Sequence, residues 1–175
     1  MVDPEGAQAN DPAVGPALQS ATGICVTGGD QKRLVNEVRH TRTQHTLVDC
    51  LREGTPVFTT SAGTVALSDP MVAGLDDDDR MCIGPGLGIL PGVVLETHVD
   101  TRRRHHRLFE LRDRAVAPLV LGLDENTALL FEPRSSEALV LGVGQLTVLS
   151  CEGPARDGVV LPSGSRFNVL DFVPG

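Results

Sequence analysis

The chain has no tryptophan and no tyrosine, and aromatic residues make up only 3% of it. Val, Leu, Ile and Ala must therefore fill the core, as they do in parallel sheets buried on both faces. The same shortage leaves few platforms on which bases could stack, and a net charge of −8 repels polyanions. Nucleic acid is thus not expected as a partner. There is no CxxC pair, and Cys25, Cys50, Cys82 and Cys151 lie far apart with no histidine at zinc-ligand spacing. They read as reduced thiols, small hydrophobes in effect, and neither a metal site nor a cofactor is expected. The N-terminus has no basic start followed by an apolar run, and no later stretch is long enough to span a bilayer. The expected setting is the cytoplasm, away from membranes.

What is present is a chain of 175 residues, 41% hydrophobic and 22% charged, the size and balance of one globular domain. Residues 1–10 are polar, with Pro4 and Gly6, and read as a disordered lead-in; the ordered domain is expected over 11–175, opening with a short helix at 11–21. Residues 23–27 (GICVT) form a short apolar run ending in Gly28-Gly29-Asp30. From 31 to 52, Leu34, Val35, Val38, Leu47, Val48 and Leu51 recur at helical spacing. A second strand, turn and helix follow, because PVFTT at 56–60 stops at Ser61-Ala62-Gly63 and a helix opens at 64–67. Two such units in succession imply right-handed crossovers and a parallel sheet with its ligand-binding turns on the carboxyl edge. Gly28-Gly29-Asp30 and Ser61 would share that edge.

Residues 68–92, rich in Asp, Gly and Pro, read as a long surface loop in which the acidic run at 76–79 is solvated. Gly84-Pro85-Gly86-Leu87-Gly88 is no dinucleotide fingerprint, because it precedes a strand and is followed by Pro91 instead of opening a helix. The strand VVLETHV at 93–99 leads into a basic helical segment at 101–114. Apolar runs at 119–123 and 127–131 flank Asp124-Glu125-Asn126, and the remainder alternates short strands with turns, as an antiparallel edge would.

A serine hydroxyl attacks only if a base takes its proton, an acid orients that base and amide donors hold the oxyanion. Ser61 in TTSAG stands between a strand and a helix, close to the GxSxG elbow but with Thr59 in place of the first glycine. His40, His45, His105 and His106 lie in polar helical stretches and read as solvated. His98 instead follows a buried strand on the same edge as Ser61. Glu125 sits just past a strand, where a carboxylate can be solvated or catalytic. The chain order would be Ser, His, Glu.

Five ordered blocks carry a resemblance: TGGDQKRL at 27–34, TSAGTVALSDPM at 60–71, GLGILPGVVLETH at 86–98, RRRHHRL at 102–108 and GLDENTAL at 122–129. Together they resemble the cyanophycinase family, in the dipeptidase E clan of serine peptidases. The resemblance implies a three-layer α/β sandwich of the class I glutamine amidotransferase-like type, with a mostly parallel sheet, helices on both faces and the N-terminal strands missing. It implies Ser61 as nucleophile, His98 as general base and Glu125 as the acid that fixes the imidazole. The amides of Ala62 and of the Gly29–Asp30 turn would form the oxyanion hole. Gln31 would face the substrate, and Arg102, Arg104 and Arg107 would hold carboxylates of an aspartate backbone, a task suited to the planar guanidinium fork.

The family's substrate is cyanophycin, a poly-aspartate backbone bearing arginine on each β-carboxyl, cleaved to β-aspartyl-arginine dipeptides. The chain departs from the family at Glu96 and Thr97, where an aspartate and a glutamine are usual, and at Val99, which replaces an aromatic residue. Members also carry two more strand-helix units ahead of residue 11. Their absence is expected to expose an apolar edge that invites association, for example as a homodimer. The alternatives are a dipeptidase acting on short aspartyl peptides and a catalytically silent amidotransferase-like domain.

Overall fold

The computed structural model describes residues 8–153 and 155–172. The chain gathers into two compact units, Met1–Leu90 and Pro91–Gly175.

In the first unit, α1 spans Val14–Gln19 and the strands β1 (Ile24–Val26) and β2 (Val57–Thr59) pair in parallel, with Val26 opposite Thr59. Between them the expected helical stretch is divided into α2 (Gln31–Val38) and α3 (Arg42–Glu53). The division has a local cause. His40 takes a left-handed backbone at φ 64°, and Thr41 then caps α3 by accepting the Gln44 N–H at 3.5 Å. Asp30 caps α2 in the same manner, accepting from Arg33 N–H at 3.0 Å. Gly54, at φ 97°, closes α3 in the left-handed conformation that glycine adopts without strain. Val35, Val65, Ala66, Met71 and Leu87 form a buried cluster that Leu34, Val38, Ala73 and Ile89 extend.

The segment at 68–92 is not the open loop that its Asp, Gly and Pro content suggests. It holds an antiparallel hairpin, β3 (Met71–Leu75) with β4 (Met81–Gly84), bulged between Val72 and Gly74. Met71, Val72 and Met81 are buried, and this apolar anchorage outweighs the composition of the rest. The acidic run is the exposed tip, where the Asp76 carboxylate accepts the N–H groups of Asp78 and Arg80, each at 2.9 Å.

In the second unit, β5 (Val93–Glu96) runs parallel to β6 (Leu119–Leu123). That sheet continues antiparallel through β9 (Gln145–Ser150) to β10 (Val159–Pro162). A separate antiparallel sheet holds β7 (Thr127–Glu132), β8 (Glu137–Gly142) and β11 (Arg166–Asn168). Helix α5 (His105–Asp113) packs on β6 and β9 through Leu108 and Leu111, both fully buried. Gly122 makes room for it, since a Cβ there would fall 2.4 Å from Leu108 Cδ1.

The architecture is therefore mixed α/β: β1–β2 and β5–β6 pair in parallel, but the described strands fall into several small sheets and not one mostly parallel sheet. The reason lies in the connections. A parallel crossover needs a dozen or more residues, as between β5 and β6, whereas β7 and β8 are joined by a link of a few residues that permits only an antiparallel return, and β6 and β9 pair antiparallel around them. No described helix is long and apolar enough to cross a membrane. All four cysteines are free thiols.

Candidate active site

Ser61 follows β2 and opens α4 (Ala62–Val65) at φ 52° and ψ −122°. A non-glycine residue in that region is strained, and such strain clusters at functional turns. Two glycines make the turn possible. A Cβ on Gly28 would stand 2.9 Å from Ser61 Cβ and 3.4 Å from Ser61 Oγ, so the Gly28-Gly29-Asp30 turn passes directly beside the serine. A Cβ on Gly63 would stand 2.5 Å from the Val26 carbonyl oxygen and 2.8 Å from that of Thr27, so only glycine lets α4 begin against the end of β1. Thr59, which replaces the first glycine of the elbow pattern, is accommodated by a hydrogen bond between its hydroxyl and that of Thr64 at 2.9 Å. Ala62 is buried at the start of α4, where N–H groups have no carbonyl partner within the helix.

Gly29 has φ 143°, and space for a Cβ is open around it. Asp30 is engaged as the cap of α2, and the Gln31 amide donates to the Val72 carbonyl at 3.1 Å. Gln31 thus ties α2 to the hairpin.

In the second unit, His98 lies just beyond β5 with a left-handed backbone, φ 57°. Its Nδ1 stands 2.5 Å from Glu125 Oε2. Because a carboxylate can only accept, Nδ1 is the ring nitrogen that donates in this contact. The hydrogen bond from His98 holds the Glu125 carboxyl below its usual range. Three further bonds fix the two turns. Asp100 Oδ1 accepts the Glu125 backbone N–H at 2.8 Å, Thr101 donates its hydroxyl to Glu125 Oε2 at 3.4 Å, and Val99 N–H donates to the Leu123 carbonyl at 3.1 Å. The backbone N–H of Glu125 likewise pulls the Asp100 carboxyl below the ordinary carboxylate value.

The three arginines that the resemblance implies for substrate binding differ in setting. Arg102 is exposed and Arg107 partly buried. Arg104 turns back to donate to Glu96 Oε2 at 3.1 Å and to the Thr97 carbonyl at 3.2 Å. Glu96 is only 2% exposed. Burial pushes its carboxyl up, opposed first by Arg104 and then by Arg107 and Arg102. Burial lowers the Arg104 guanidinium in turn, opposed by Glu96.

Sequence reasoning did not single out the Glu96–Arg104 ion pair, nor Asp100 or Thr101. The one available signal for the ion pair was an acidic residue at the end of an apolar strand, two positions before the histidine. Among the described residues, no group of three or more His, Cys, Asp or Glu side chains is arranged to hold a metal ion.

A strained serine between a parallel strand and a short helix, beside a glycine-rich turn, has the backbone geometry that a nucleophile elbow needs. Residues 6–139 match the model of peptidase family S51, and the chain belongs to that family. It is 30% identical over 151 residues to a cyanophycinase of Trichormus variabilis, covering 83% of this chain and 50% of that protein. A cyanophycinase of Synechococcus elongatus is 33% identical over 138 residues, covering 75% and 42% respectively. The chain thus spans about half the length of the curated relatives it matches. A crystal structure of a peptidase from an acI-B1 Actinobacterium superposes with a TM-score of 0.75 at 20% identity, over 94% of this chain and 66% of that one. That likeness concerns the fold.

Proposed function

We propose that this chain carries the reacting groups of a serine exopeptidase that cleaves cyanophycin to β-aspartyl-arginine dipeptides. Ser61 is the nucleophile, His98 the general base through Nε2, and Glu125 the acid that keeps the proton on Nδ1. The amides of Ala62 and of the Gly29–Asp30 turn receive the oxyanion. The observation that carries this reading is the backbone of Ser61, a non-glycine residue at φ 52° and ψ −122° between β2 and α4, since strain of this kind clusters at functional turns. The His98–Glu125 hydrogen bond adds the second component of a triad.

In the step itself, Ser61 Oγ bonds to the scissile carbonyl carbon as its proton passes to His98 Nε2. That proton then leaves with the departing amine, and water repeats the sequence on the acyl-enzyme. Glu125 remains ionised throughout, which suits a carboxyl already held below its usual range. Gln31, Arg102, Arg104 and Arg107 face the substrate in this reading, with guanidinium groups pairing to the free carboxylates that the arginine branches of the polymer carry.

One observation favours a second substrate. Glu96 already occupies the Arg104 guanidinium, which leaves Arg102 and Arg107 to meet substrate carboxylates and suits a short aspartyl peptide instead of a long polymer. The deciding experiment compares release of β-aspartyl-arginine from cyanophycin with hydrolysis of aspartyl dipeptides, for the wild type and Ser61→Ala. The substitution is expected to reduce turnover about a million-fold while leaving the circular dichroism spectrum unchanged. Equal hydrolysis by both proteins would remove Ser61 from the mechanism.

A further inference from the structure

Glu125 poses a problem of its own. Its side chain is 41% exposed, and an exposed carboxylate gains little from a single polar contact against the rotamer freedom it gives up. Yet it must stay against His98 Nδ1 if the tautomer is to be held. The turn that bears it is irregular, with Asn126 at φ 52° immediately after. On the far side, Thr127 Oγ1 donates to the Glu125 carbonyl at 3.0 Å and accepts from Gly144 N–H at 3.1 Å, which secures the C-terminal end. On the near side the Glu125 backbone N–H meets Asp100 Oδ1 at 2.8 Å, across a separation of 25 residues.

Asp100 belongs to the same tight turn as His98. Arg102 N–H donates to the His98 carbonyl at 3.0 Å, Arg103 N–H to that of Asp100 at 3.1 Å, and Arg104 N–H to that of Val99 at 2.8 Å. Val99 is fully buried beneath them. The histidine and the aspartate therefore move as one body, and the aspartate reaches over to grip the main chain of the glutamate.

We propose that Asp100 is a positioning residue that sets the Glu125 carboxylate against the His98 imidazole by holding the Glu125 backbone N–H. A hydrogen bond from an amide to an ionised carboxylate is short and roughly twice as strong as a neutral one. Thr101 completes the grip from the same turn, through its hydroxyl on Glu125 Oε2. Asp100 touches neither nucleophile nor substrate in this account; it acts through Glu125.

This rests on the triad reading above, and the test separates the two. The first arm is proton NMR of the intact chain. An imidazole Nδ1 proton held by a carboxylate resonates far downfield and exchanges slowly, and loss of the signal in His98→Gln assigns it to His98. Asp100→Ala should abolish or broaden that resonance, whereas Asp100→Asn, whose amide oxygen can still accept the Glu125 N–H, should retain it. Should Asp100→Ala fail to fold, Asp100→Ser, whose hydroxyl is too short to reach, is expected to show the same loss. The second arm is hydrolysis of a β-aspartyl-arginine peptide. Asp100→Ala should lower kcat by about 10- to 100-fold, by analogy with the loss when outer partners of metal-ligating histidines are removed, with KM unchanged and substantial rescue in Asp100→Asn. An unchanged downfield resonance in Asp100→Ala, or equal loss in the alanine and asparagine variants, overturns the proposal. If the wild type hydrolyses no aspartyl peptide, the peptidase reading falls, and the NMR arm still decides the clamp.

Discussion

The two units hold their candidate functional groups by different means. In Met1–Leu90, the main chain places Ser61: a strained φ/ψ pair, a glycine on each side of the close approach, and strands whose ends converge there. In Pro91–Gly175, side chains do most of the work, through His98 to Glu125, Asp100 to the Glu125 amide, and Arg104 to Glu96 and the Thr97 carbonyl. A backbone-built site fails when a Cβ is added. A side-chain-built site fails when a partner is removed, and it also responds to pH.

The largest effect on stability should come from the buried ion pair. Arg104→Ala leaves Glu96 without its closest counter-charge in an apolar setting and is expected to cost about 3–5 kcal/mol, read from urea unfolding midpoints. The double variant Arg104→Met with Glu96→Gln should recover most of this loss, because neither charge is then buried. If the single variant is as stable as the wild type, side-chain pairing does not hold the turn before His98.

Next comes the backbone-built unit. Gly63→Ala pushes a methyl group into the Val26 and Thr27 carbonyls, which cannot yield as flexible side chains can, and should destabilise by about 1–3 kcal/mol. Any hydrolytic activity should fall with it, because α4 can no longer start where Ser61 requires. Gly29→Ala is the matched control for space, since nothing lies within 4 Å of that position. Its φ of 143° still makes alanine strained, so it should perturb the turn without a clash.

The smallest effects are those of pH, and here the second unit should oppose itself. Glu125 is held below its ordinary value of 4.5, so its contribution is present above that value and lost as pH falls through the lower folded value. Glu96 is raised above 4.5 by burial, so its contribution is present below that value and lost as pH rises through the higher folded value. Unfolding midpoints measured from neutral to acid pH should therefore shift in opposite senses. Glu125→Gln should flatten the acid-side loss, and Glu96→Gln should remove the loss on the side of rising pH. Identical pH profiles for both variants would show that the two carboxylates share one environment.

The contrast also explains what could be read from the residues alone. TTSAG after a β-rich run is a local pattern, and local patterns report backbone geometry, so Ser61 and its strand-turn-helix frame were legible. The break at His40 and Thr41 was less so, because hydrophobic spacing continues across it while a left-handed residue interrupts the helix and a capping side chain starts the next. The hairpin at 68–92 was masked by its own tip: four aspartates and the surrounding glycines dominate the composition, while Met71, Val72 and Met81 supply the anchorage. Asp100 and Glu125 are 25 residues apart and carry no periodic signal. Only the path of β5 beside β6 brings their turns together, and no count of spacing shows it. The resemblance at the five blocks supplied Glu125, where the bare chain left a loop carboxylate of open meaning.

The most direct test of the central claim is covalent labelling of the intact chain with a fluorophosphonate, followed by mass spectrometry of its peptides. This reagent bonds to a serine oxygen only where a base activates it. The account predicts one adduct per chain, on Ser61, absent in Ser61→Ala and formed far more slowly in His98→Ala and Glu125→Ala. An adduct on another serine, or labelling of Ser61 at the same rate without His98, would contradict it.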